Sequence, residues 1–205
     1  MDTLRITRDD IDAEGVYTKA ESIDFDGHVE VAADLGTVRV RGFVRAKGRI
    51  RCLAGSGIEV GEGIEAGWGI ESGEGIESGE GIEAGECIES GEGIEAGSGI
   101  KSGSGIKAGW GIKAGEGIEA GSDIDAGWGI EAGWGIKAGE GIKAGEGIEA
   151  GLSIVAKFLS VRLRIFAGLV AWRLPEPSEC EVRAEIRSGT LAHGTHVAPV
   201  EVKSR

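Results

Sequence analysis

The chain has 205 residues and a net charge of −13, with 39 glycines, 3 prolines and 3 cysteines. That length supports one domain with a core of its own, and the periodic placement of the glycines excludes a flexible linker. No apolar run reaches the ~18 residues a membrane span needs, and Cys52, Cys87 and Cys180 are too widely spaced for a disulfide framework or a cysteine metal motif.

The first ten residues, "MDTLRITRDD", contain no apolar leader, which predicts a cytoplasmic protein. Residues 1–22 show no repeat and are expected to form an N-terminal cap. Residues 23–57 read as irregular opening coils. In "GTVRVRGFVRAKGRIRC", Val38, Val40, Val44, Ala46 and Ile50 alternate with Arg39, Arg41, Arg45, Lys47 and Arg51, the in-out period of a strand.

From residue 58 to 156 one hexamer recurs: G-x-G-I-[E/K]-[A/S]. Isoleucine returns every six residues from Ile58 to Ile154, and the residue two later is Ala or Ser, once Val60. Ile and Ala face inward, the charge between them faces out, and G-x-G supplies a corner, for which the tolerance of Gly for positive φ is the expected reason. One such unit cannot bury its own isoleucine, whereas stacked coils can, so the fold class is an all-β, parallel β-helix. The lysines set the coil length. Stepping by eighteen gives Glu83–Lys101–Glu119–Lys137, Glu89–Lys107–Asp125–Lys143 and Glu95–Lys113–Glu131, in which every lysine meets an acid. Steps of twelve or twenty-four place lysine on lysine, which costs stability across a ladder. The prediction is a three-sided helix of about 18 residues per coil, with Trp110 stacked on Trp128.

Residues 157–205 read as a C-terminal β cap and tail. "FLSVRLRIFAGLVAWRL" is expected to close the open end, "LPEPSE" to break the strand run, and "CEVRAEIRSGTLAHG" to fold back as a hairpin. Two closed ends predict a monomer or dimer.

The six-residue period resembles that of the hexapeptide acyltransferases, but here the small residue follows the aliphatic one instead of preceding it. The three histidines, His28, His193 and His196, all lie outside the repeat. No catalytic group, cofactor or metal is therefore expected. The valine-rich opening strands and the in-out-in repeat, over residues 38–156, resemble bactofilins in pattern. That resemblance implies a right-handed three-sided helix and a structural, filament-forming or scaffolding role.

The acidity is local. Twelve glutamates and no Lys or Arg stand between Cys52 and Ile100. Stepping by eighteen stacks Glu59, Glu77 and Glu95, then Glu65 with Glu83, Glu74 with Glu92 and Glu62 with Glu80. The later repeats relieve such stacking with lysine, so its absence here points to function. In charge logic this resembles acidic pentapeptide-repeat proteins that imitate duplex DNA. It predicts a rod of about 30–45 Å, near ten base pairs of duplex, inhibiting a basic nucleic-acid-binding protein without binding nucleic acid or membrane itself. Phage or mobile-element anti-defence proteins are of this kind. The corner tryptophans Trp68, Trp110, Trp128 and Trp134 are the candidate anchors beside those nine glutamates.

Overall fold

The computed structural model describes residues 1–199, so the last six residues of the expected tail lie outside the described residues. The chain is a parallel β-solenoid of about 10 coils, roughly 18 residues each. Each coil has three short strands on three sides. On the first side Val38, Ile58, Ile76, Ile94, Ile112, Ile130, Ile148 and Ile165 stack in one file. The second side runs from Ile23 through Val44 and Ile64 to Ile136, and the third from Leu4 through Val29 and Ile50 to Ile142. The repeat isoleucines are at most 1% exposed. Burial of each contributes about 1.5–3 kcal/mol, so the three files make one cohesive column.

The hydroxyls of serines that replace the inward alanine find partners in the coil below. Ser78 donates to the Glu62 carbonyl and Ser90 to that of Glu74, each at 2.5 Å. The corners are hydrogen-bonded as well. The amide of the residue between the two glycines donates to its counterpart one coil earlier, as from Trp128 to Trp110 at 3.1 Å and from Glu80 to Glu62 at 3.2 Å, except that Glu92 donates to the Ser90 hydroxyl instead.

The reason for the glycines differs from the expected one. Positive φ occurs at Gly15, Gly36, Gly55, Gly168, Gly189 and Gly194, all outside residues 58–156. The repeat glycines instead permit close approach. A methyl group on Gly115 would stand 2.1 Å from the Gly97 carbonyl oxygen, whereas one on Gly117 would stand 3.3 Å from that of Gly135. The first glycine of each corner is therefore obligatory and the second is not. The sequence obeys this: every first slot from Gly61 to Gly151 is glycine, while the second slot also takes Cys87, Asp123 and Ser153.

Both flanks continue the stack. Asp2–Ile6 is already a strand under Gly27–Val31, so residues 1–22 begin the helix instead of only capping it. Beneath the first side lies a small turn closed by an antiparallel bridge between Ile11 and Tyr17. The opening coils are longer than the repeat, with Val38 pairing Ile58, Val44 pairing Ile64 and Ile50 pairing Ile70, twenty residues apart. At the other end Ile154–Ala167 wraps all three sides in succession, over Ile136–Ala138, Gly141–Ala144 and Ile148–Ala150. Residues 168–180 then leave the stack. They carry Pro175 and Pro177 and a short 3-10 turn, Pro177–Cys180, tied by a bidentate Arg173–Glu179 pair at 2.6 Å. Glu181–His193 returns as a further parallel coil and Thr195–Val197 lies parallel on its start. The expected hairpin is not formed, because these strands bury Val182 and Ala184 by stacking in the same sense as the rest.

Two substitutions test the corner geometry. Gly115→Ala should cost about 3 kcal/mol through overpacking against a fixed carbonyl. Gly117→Ala should change stability by less than about 1 kcal/mol, since the added contact is small and the unfolded chain loses freedom. Ile112→Asp should abolish cooperative folding by burying a lone carboxylate. Thermal melts of the three variants read all these effects.

Candidate interaction surface

Outward side chains fall into six columns, three down the sides and three down the corners. The side columns alternate in sign more widely than eighteen-residue stepping implies. Because the opening coils are twenty residues long, Arg39 lies under Glu59, Arg45 under Glu65 and Arg51 under Glu71, with N–O distances of 2.8, 2.8 and 3.3 Å. Above the acidic block, Lys101 meets Glu83 at 3.3 Å and Lys113 meets Glu95 at 3.6 Å. Further up, Lys137 hydrogen-bonds Glu119 at 2.7 Å and holds that carboxyl below the usual carboxylate range. Five of the twelve glutamates are thus paired, in exposed ladders worth a few tenths of a kcal/mol each.

The twelve glutamates form a collar and not a rod. They occupy two successive coils and the start of a third, a height of about 10 Å at the coil spacing. Within that collar the nine candidate glutamates are mostly brought together. Glu59, Glu77 and Glu95 run down the first side. Glu62 and Glu80 stand at its corner with the second side, and Glu74 and Glu92 at its corner with the third. Glu65 and Glu83 lie on the second side. Glu62, Glu74, Glu77, Glu80 and Glu92 have no ion-pair partner among the described residues. Cys87, in a second-glycine slot inside the collar, has its thiol pushed up by burial first and then by Glu89, Glu71 and Glu86. Cys52 is pushed up to about 12 by burial, so neither thiol ionises near neutrality.

The four tryptophans do not share a surface. Trp110 and Trp128 stack at 5.6 Å with planes 9° apart on the corner between the third and first sides. Trp134 stands above Glu116 on the corner between the first and second sides. Trp68 occupies the remaining corner, edge-on to His28 at 5.1 Å. Stepping by six moves a residue to the next corner, and only stepping by eighteen returns it to the same one.

Sequence reasoning missed a second group of exposed apolar residues. Leu163 caps the corner above Glu146, and Leu169, Trp172 and Leu174 lie in the 168–180 excursion, Leu174 being 93% exposed. The prolines of "LPEPSE" mark that excursion, but the alternation of its neighbours hides where it starts. His193 and His196 bond the carbonyl oxygens of Ala167 and Ala184, at 2.7 and 2.8 Å. Among the described residues no group of three or more His, Cys, Asp or Glu is placed to hold a metal ion, and no helix is long and apolar enough to cross a membrane. Comparison with protein-family models, curated proteins and solved structures finds no match for the chain.

Glu77 stands between Glu59 below and Glu95 above. Glu77→Lys should therefore raise stability by a few tenths of a kcal/mol at low salt, while Arg45→Glu should lower it by a similar amount. Melting curves in about 0.02 M and 1 M salt check this, since screening should erase both differences.

Proposed function

We propose that this chain is a non-enzymatic structural solenoid that assembles end to end from copies of itself, the scaffolding role that its bactofilin-like pattern implies. The observation that carries the reading is the pair of open ends. Asp2–Ile6 and Ile23–Phe25 are paired on one edge only, and so are residues 185–193, among the described residues. Unpaired strand edges are templates for another strand. Ile186 and Leu191 lie half-buried at the upper end, where a further coil would cover them.

The two ends differ in charge. Residues 1–26 hold eight acidic and three basic side chains, whereas residues 157–199 hold six basic and four acidic ones. Head-to-tail stacking keeps all strands parallel and brings opposite charges together. Head-to-head stacking reverses the strand sense and opposes like charges. A head-to-tail contact is heterologous, and with no rotation to close a ring it grows as an open filament.

A second reading keeps the acidic collar as an inhibitor of a basic nucleic-acid-binding protein. Five carboxylates without partners around the first side favour it. Their two-coil height gives a contact much shorter than ten base pairs, so this reading stands second. Changing Glu74, Glu77, Glu92 and Glu95 to Gln and repeating a capture from lysate, with duplex DNA as competitor, separates it from assembly.

Sedimentation velocity over a hundredfold range of concentration, with electron microscopy of the same samples, tests the first reading. Growing rods of constant width are expected. Ile186→Asp should leave the melting transition in place and hold the protein monomeric, because it puts a charge into the end contact. A parent chain that stays monomeric throughout would sink the proposal.

A further inference from the structure

An axial groove of about 550 Å³ runs beside the first side, between the corner column that holds Trp110 and the column of outward charges. Its floor is bare backbone, because glycines 75, 93, 111, 129 and 147 occupy the second slot in each coil. It spans five coil steps, about 24 Å, the length of roughly seven extended residues.

Its walls are strongly one-signed. Glu77, Glu92, Glu95, Glu131 and Glu149 line it against a single cation, Lys113, which is already paired with Glu95 at 3.6 Å. The comparable groove at the next corner is different. Arg45, Lys101 and Lys137 stand along its wall against six glutamates, so its carboxylates have three cations among them where the first groove has one. The first groove alone also has the stacked indoles beside it, with Trp110 48% and Trp128 57% exposed. Elsewhere this chain seats guanidinium groups over rings: Arg45 over Phe43, Arg173 over Trp172 and Arg187 over Phe158. No such cation covers Trp110 or Trp128 among the described residues.

We propose that this groove binds an extended, arginine-rich segment of a partner protein. One guanidinium sits at the corner between Glu92 and Trp110, donating a charge-assisted hydrogen bond to the carboxylate of the first and stacking on the ring face of the second. Arginine fits better than lysine because its planar group serves the carboxylate and the indole together. The extended form follows from the groove's straight axial course, with one glycine of its floor in each successive coil. This goes beyond end-to-end assembly and does not depend on it, since the groove lies on the flank and the contact proposed above lies at the ends.

The test uses the full chain carrying Ile186→Asp and, separately, the parent chain. Each is titrated with an eight-residue peptide of alternating arginine and glycine, its lysine counterpart, and spermine, followed by calorimetry and tryptophan emission. One-to-one binding of the arginine peptide is expected, with the lysine peptide and spermine about tenfold weaker, in both chains. Trp110→Ser and Glu92→Gln should each weaken the arginine peptide about tenfold. Serine already fills the same corner slot at Ser98 and Ser104, so the first variant keeps the fold. Trp134→Ser and Glu116→Gln, on the neighbouring corner, should leave binding unchanged. Equal binding of all three ligands, or no loss with Trp110→Ser, would overturn the proposal and leave only general attraction to the acidic collar.

Discussion

Everything in this solenoid depends on how closely two backbones pass at the corners. The first glycine of each corner sits so near the carbonyl one coil below that no side chain fits; at Gly145 an added methyl would come within 1.8 Å of the Gly127 oxygen. That approach allows the corner amides to bond from coil to coil. Only then do the isoleucines align in files and the outward charges in columns. Hydrophobic burial supplies most of the stabilisation, but the close corners set the geometry in which burial takes place.

The alternation of Ile and Ala with charge made the inward faces legible, because a strand sends successive side chains to opposite faces. The coil length was legible from the lysines, since like charges in one column cost energy and Lys101, Lys113 and Lys137 avoid each other only at eighteen. Other features left no such mark. The twenty-residue opening coils depend on an irregular segment around Gly55, whose φ is 70°, so the seating of Arg39, Arg45 and Arg51 under the glutamates was hidden. Alternation is the same in parallel and antiparallel strands. For that reason "CEVRAEIRSGTLAHG" carried no sign that it would stack as another coil in place of a hairpin.

The candidate surface was legible in kind and not in shape. The unpaired carboxylates and the Trp110–Trp128 pair were foreseeable from their spacing of eighteen. The collar was not, because the same twelve glutamates can be imagined along a rod until each is assigned to a side. Once assigned, five find cations and the rest divide among the sides and corners. Trp68 and Trp134 likewise separate from the pair because their sequence offsets are multiples of six and not of eighteen.

The mismatch between a six-residue motif and an eighteen-residue coil also constrains how such a gene changes length. Gain or loss of one hexamer would keep every isoleucine inside and every first glycine at a corner, so folding would survive. It would also turn every later column by one third of a revolution. Removing the hexamer that ends at Ala96, for example, brings Lys101 over the column of Glu59 and Glu77 and sends Trp110 to a different corner. Only duplication or deletion of three hexamers together conserves the surface. The core of this protein therefore tolerates replication slippage in short steps, while its exterior is inherited in blocks of three.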